Sequence, residues 1–189
     1  IRRQLFHLCL GISLTLLYYF NLIDALMLFV VVVLGGFLCL LCKQIRIPIL
    51  DWFLRNFERE DQRKIFPGRG TLFFFIGVLL AVKLFEKDIA LAAIMILALG
   101  DSVSHVVGRY FGRIKLFSQT KMLEGTLAGV VAGFAGAVLF VPIIPAFLGS
   151  LAAMVLEAVQ IELNGRAVDD NLFIPLIAGT VIYLVLLYL

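Results

Sequence analysis

The chain has 189 residues, 62% of them hydrophobic and 15% charged, with a mean hydropathy of +1.08. A soluble domain is about half apolar and about a quarter charged, so this composition excludes one and predicts an integral membrane protein. Sixteen Lys/Arg against thirteen Asp/Glu leave a net charge of +3, too small an excess to suggest a nucleic-acid partner.

A spanning helix needs about 20 residues, within a range of roughly 17–25. In chain order, apolar runs bounded by charge, Gly or Pro cover 4–20, 22–42, 70–86, 88–111, 125–144, 146–163 and 172–189. They predict an all-α, polytopic membrane helical bundle of about seven transmembrane helices, with 1–189 forming one domain. Only Asn21 separates the first two runs, and the Pro142–Pro145 stretch separates the fifth and sixth, so both pairs read as tight hairpins.

The positive charges set the orientation. Arg2 and Arg3 precede the first run, and Lys43, Arg46, Arg55, Arg59, Arg63, Lys64 and Arg69 lie between the second and third. Arg109, Arg113, Lys115 and Lys121 follow the fourth, and Arg166 precedes the last. With seven spans, fourteen of the sixteen Lys/Arg share one side, against Lys83 and Lys87 on the other. The charge-rich side, and the N-terminus with it, is therefore expected in the cytoplasm.

Within the cytoplasmic segment 43–69, Pro48 can open a helix, and Leu50, Phe53, Leu54 and Phe57 follow at helical spacing. Arg55, Glu58, Arg59 and Asp61 take the other face, and Trp52 lies beside the apolar one. The pattern fits a helix lying in the membrane interface or an ordinary docked connector. Cys9, Cys39 and Cys42 lie in apolar runs, and no second pair or nearby His completes a zinc site.

Ionisable residues within or beside spans are expensive and therefore informative. In the stretch from Gly100 to Gly112, residues Asp101, Ser104, His105, Gly108 and Gly112 fall on one helical stripe. The loop from Lys115 to Lys121 presents two ammonium groups, then Glu124-Gly125-Thr126 opens the next span. Ammonium suits phosphate oxygens, carboxylate suits Mg²⁺, and a helix start attracts anions. Gly108 and Gly112, with Gly125 and Gly129, provide either close helix packing or a slot for a lipid. Glu157, Gln160 and Asn164 fall on one helical face at offsets of three and seven, and Asp169, Asp170 and Asn171 stand just before the final span. All these groups fall toward the cytoplasmic side, and Arg2, Arg3, His7, Arg69 and Thr71 can reach the same pocket.

No P-loop, protein-kinase signature, zinc-protease motif or dinucleotide fingerprint occurs. Carboxylates and lysines beside lipid fit Mg²⁺-assisted transfer from a phosphorylated donor. The order Gly100-Asp101-Ser102, Gly108, Gly112, Lys115, Lys121-x-x-Glu124-Gly125-Thr126, Glu157, Asp170-Asn171-Leu172 and Pro175 resembles the CTP-dependent lipid kinases. That family includes dolichol, phytol and CTP-dependent diacylglycerol kinases. The likeness covers about 68–176, with a looser echo in Arg2, Arg3 and His7. Dolichol kinases usually have paired lysines where this chain has Thr120-Lys121, and small residues where it has Ser104-His105.

The resemblance implies transfer of the CTP γ-phosphate, with Mg²⁺, to a lipid alcohol at the cytoplasmic face of the bilayer. The acceptor would be a polyprenol or dolichol, a phytol-like prenol or diacylglycerol. The segments 100–126 and 157–175 would form the active site. Asp101 and Glu124 would serve the metal, Lys121 would neutralise donor phosphates, and Glu157 or Asp170 would orient the hydroxyl. Ser102, Gly108, Gly112, Lys115, Gly125, Thr126 and Asn171 would contact the nucleotide, with Asn171 or Asn164 reading the pyrimidine. Cytidylyl transfer to make a CDP-lipid, or a transporter with a cytoplasmic polar pocket, remain alternatives at this stage.

Overall fold

The computed structural model describes residues 1–45, 47–58, 63, 66–116, 121–159, 162–163, 166–167 and 169–189. Its elements in chain order begin with α1 (Arg2–Tyr19), α2 (Ala25–Gln44), α3 (Pro48–Phe57) and α4 (Arg69–Leu84). Then α5 (Lys87–Met95) passes through a π-helical turn (Ile96–Asp101) into α6 (Ser102–Phe111). The chain continues with α7 (Leu123–Ala137), α8 (Ile143–Val159), the strands β1 (Glu162–Leu163) and β2 (Arg166–Ala167), and α9 (Asp170–Tyr188).

Each predicted apolar run carries a helix. Among the described residues, three helices are long and apolar enough to cross a membrane: α2, the 25-residue run Lys87–Phe111, and α9. Helices α7 and α8 are apolar but shorter. The sixth run ends earlier than expected. Helix α8 stops at Val159, and Glu162 and Leu163 pair antiparallel with Ala167 and Arg166. Asn164-Gly165, between the two strands, is the dipeptide that favours two-residue hairpin turns. Of the expected helical face of Glu157, Gln160 and Asn164, Glu157 lies on α8, and Gln160 and Asn164 lie outside the described residues.

Helix α5 is the centre of the bundle. Ile89 through Ala98 are all buried, as expected of a helix apolar on every side. Helices α1, α4, α7 and α9 pack around it, with α8 against α7 and α9. Helix α2 lies outside, touching α4, with Leu28 its one buried residue and Phe29, Leu34 and Phe37 exposed. Such an unbroken apolar face suits a hydrocarbon surrounding.

The α1–α2 hairpin turns at Asn21, whose φ of 56° lies in the left-handed region that Asn tolerates. Lys87 Nζ donates to Asn21 Oδ1 at 2.7 Å and to Tyr19 O at 2.8 Å, tying that turn to the start of α5. Helix α3 opens at Pro48, as its sequence predicts, and docks on α1 through Phe6, with ring centroids 5.0 Å from Phe53 and 5.3 Å from Phe57. Ile49 and Trp52 remain exposed on its other side. It is thus docked along one face and open along another.

Beyond α3, Glu58 caps α4. Its Oε2 accepts from Gly68 N at 2.9 Å, and Gly68 has a φ of 83°. A side chain at Gly68 would be strained and would also meet Cys39 Sγ.

Candidate active site

The starts of α1, α4, α6 and α9, the end of α8 and the short hairpin before α7 meet at one end of the bundle. The π turn delivers Asp101 to that meeting point, buried and one turn below His105. Such turns insert one extra residue into a helical circuit and recur at functional sites. His105 Nδ1 lies 3.1 Å from Asp101 Oδ1 and 3.7 Å from Glu157 Oε1. Lys121 Nζ donates to Glu157 Oε1 and lies 3.7 Å from Asp170 Oδ2.

The hairpin fixes Lys121 in place. Leu116 N donates to Lys121 O at 2.9 Å and Leu123 N to Ile114 O at 2.9 Å, with Lys115 bridged to Met122. One oxygen or nitrogen from each of Asp101, His105, Glu157 and Asp170 lies within 4.8 Å of the others. Glu157 Oε2 is buried with no hydrogen-bond partner among the described residues, and Asp101 Oδ1 is buried against the His105 ring. Buried carboxylate oxygens without partners are costly, and a hard cation with oxygen ligands removes that cost. The donor set therefore fits Mg²⁺.

The group opens into a cavity of about 410 Å³, lined by His105, Gly108, Arg109, Lys121, Thr126 and Asp170 among others. Asp170 is the most open of the three carboxylates, its side chain 29% exposed against 2% for Asp101 and 1% for Glu157.

An uncharacterized protein of Methanocaldococcus jannaschii is 30% identical over 186 residues, covering 96% of this chain and 92% of that protein. CTP-dependent diacylglycerol kinase 1 of Schizosaccharomyces pombe is 25% identical over 142 residues, 68% of this chain and 64% of that protein. A probable chloroplastic phytol kinase of Triticum aestivum is 29% identical over 150 residues, 69% of this chain and 48% of that protein. The chain is thus similar, at 25–29% identity, to proteins named as CTP-dependent diacylglycerol, phytol and farnesol kinases. The match spans about half to two thirds of the length of these kinase-named relatives. No protein-family profile and no solved structure matches it.

Of the family-like residues, Asp101, Lys121, Glu157 and Asp170 come together, joined by His105, four residues along the Asp101 stripe. Gly108, Gly112 and Thr126 line their cavity. Glu124 stands apart, because both its oxygens accept from Ile114 N at 3.3 Å and brace the hairpin, and it is not among the four grouped ligands. Ser102 is buried and donates to Gln4 O at 3.2 Å, joining α6 to α1. Gly125 is packed: a Cβ there would meet Ser104 O at 2.5 Å and Gly108 Cα at 2.8 Å. At Gly112 a Cβ would meet Met122 Cγ at 2.5 Å, so both glycines serve close approach of α6 and α7.

Asn171 is buried to 1% exposure, and its Nδ2 donates to Asp169 Oδ1 at 2.8 Å and Gly70 O at 3.3 Å. Arg69 Nε lies 3.7 Å from Asp169 Oδ2. Burial, then the neighbouring Asp170 carboxylate, pushes Asp169 up to about 6. This trio clamps the start of α9 to the start of α4 and so fixes Asp170. His7 is buried between the rings of Phe6 and Phe74, while Arg2 and Arg3 line a neighbouring cavity.

Proposed function

We propose that the protein is a membrane-embedded kinase that transfers the γ-phosphate of CTP to the hydroxyl of a lipid alcohol at the cytoplasmic face. The observation that carries this reading is the contact of Lys121 with Glu157, beside Asp170 and the Asp101–His105 pair, in an open cavity. In this reading seven helices cross the bilayer: α1, α2, α4, the continuous α5–α6 run, α7, α8 and α9. The positive-inside distribution supports a cytoplasmic N-terminus.

Phosphoryl transfer is mainly positioning and charge neutralisation, which suits this inventory. Asp101 and Glu157, with His105, would hold Mg²⁺, leaving Asp170, the most open of the group, toward the acceptor. When bound, the cation neutralises phosphate oxygens as charge develops on them. Lys121 donates one N–H to Glu157, which holds the ammonium in place, and turns its charge and remaining donor capacity toward the transferred phosphoryl group. Asp170 accepts the hydrogen bond of the acceptor hydroxyl and takes its proton as the lipid oxygen bonds to phosphorus. The bond from phosphorus to the bridging oxygen breaks, and CDP leaves. Acceptors in this reading are polyprenol, phytol-like prenol or diacylglycerol; names of relatives support the prenol and diacylglycerol members of that range.

Purified protein with γ- or α-labelled CTP and a panel of lipid alcohols tests this reading. Label from the γ position on lipid is expected. Label from the α position means cytidylyl transfer, and label from neither removes both enzymatic readings.

A further inference from the structure

A second cavity of about 350 Å³ lies beside the first, between α1, the end of α3 and α6. Its polar lining is Arg2, Arg3, Gln4, Asn56, Glu58, His105 and Arg109. His105 and Arg109 also line the first cavity, so the two share a wall. Their charges are opposite in character. The first gathers three carboxylates around Lys121, whereas the second has three guanidinium groups against Glu58.

Those guanidinium groups are largely uncommitted. Arg2 Nη1 donates to Asn56 Oδ1 at 2.9 Å, while Arg3 and Arg109 form no hydrogen bond or ion pair among the described residues. Gln4 lines the same space. It is 6% exposed, its backbone carbonyl accepts from Ser102, and its side-chain oxygen has no partner. That oxygen is an acceptor, which a water or a hydroxyl donor would satisfy beside the guanidinium groups. Positive-inside topology accounts for arginines at a helix end, but not for their gathering with Gln4 around a concave space.

We infer that this arginine-lined cavity binds the polyphosphate chain of the nucleotide donor, whose terminal phosphate reaches past His105 to Lys121 and Glu157. The inference rests on the kinase reading of the adjoining site. Guanidinium forks match phosphate oxygens in pairs, and three of them balance a chain that the carboxylate cluster alone would repel. A volume of about 350 Å³ is within the range of small-molecule sites. The cavity is thereby assigned to the donor, leaving the membrane side of the first cavity to the acceptor.

The test uses purified protein in detergent, with inorganic tripolyphosphate as the binding probe and glycerol phosphate as a lipid-headgroup mimic. Arg3→Gln and Arg109→Gln are each expected to weaken tripolyphosphate binding and raise the CTP KM about tenfold or more, with the lipid-alcohol KM unchanged. Arg109 is exposed, so Arg109→Gln carries the test if Arg3→Gln fails to fold. Unchanged tripolyphosphate binding overturns the inference, as does a rise in the lipid KM alone or arginine-dependent binding of glycerol phosphate in its place. If label moves from CTP to lipid but the arginine variants behave like the parent, the cavity assignment fails and the kinase reading stands. If tripolyphosphate binds through the arginines but no label moves, the polyphosphate site stands and the kinase reading fails.

Discussion

Asn171 and Asp170 are neighbours with different tasks. Asp170 faces the cavity, and Asn171 turns away from it into the contact between α9 and α4, where its amide is bonded to Gly70 and Asp169. Removing that amide leaves buried polar partners unsatisfied, which typically costs about 1–3 kcal/mol. Asn171→Ala should therefore lower the unfolding midpoint markedly, while folded protein keeps its CTP KM. A raised CTP KM at unchanged stability would instead place Asn171 on the nucleotide. Asp170→Asn is expected to act oppositely, lowering turnover with little change in the unfolding midpoint, because its side chain is partly open. Kinetics and thermal unfolding on the two variants side by side separate a strut from a catalytic group.

At the scale of elements, the α6–α7 contact and the α3–α4 link each carry a prediction. Gly125 lets α7 approach the backbone of α6, so Gly125→Leu forces two packed helices apart and should cost about 1–3 kcal/mol or more, read as loss of folded protein in detergent. Had these glycines formed a lipid slot, the variant would stay folded and lose long-chain acceptors first. Glu58 presents a pH case. Burial raises its pKa above the ordinary carboxylate value, although its bond from Gly68 N opposes the rise. The folded state therefore holds that proton more tightly than the unfolded chain does. The associated stability is complete at low pH and is lost as pH rises through the folded pKa. Glu58→Gln should flatten this part of the stability-pH curve, and an identical slope in the variant would contradict the assignment.

The elements also show what the residues alone could reveal. Asp101, His105 and Gly108 share a stripe in the sequence and share one in α6, because helical spacing continues without interruption after Asp101. The π turn before it was not legible, since Ile96–Leu99 reads as ordinary apolar helix and Gly100-Asp101 signals a polar site and not a wider turn. Glu124 illustrates a different limit. The Lys121-x-x-Glu124-Gly125 resemblance implies a metal ligand at Glu124, whereas the structure has both its carboxylate oxygens accepting from Ile114 N.

For the whole molecule, the charged ends of the helices converge on the site end, while Lys87 binds the α1–α2 turn at the other. Among the described residues, three helices meet the length and apolarity for crossing a bilayer, and the seven-span reading needs the shorter ones to cross as well. Single cysteines at Lys83 and Arg113, in a background lacking Cys9, Cys39 and Cys42, test that directly. An impermeant maleimide added outside intact cells should label Lys83→Cys and spare Arg113→Cys. Labelling of both, or of Arg113→Cys alone, would contradict the seven-span, cytoplasmic-site topology.

The central claim is that Lys121, held by Glu157, neutralises a phosphoryl group moving from CTP to a lipid hydroxyl. The most direct measurement follows γ-label from CTP to lipid in the parent protein and in Lys121→Met, purified and assayed together with their unfolding midpoints. Losing one charge that acts in a transition state typically lowers turnover by about 10²–10³-fold. The account predicts labelled lipid from the parent, a loss of that size in the variant, and similar midpoints. Equal labelling by two equally stable proteins would contradict it.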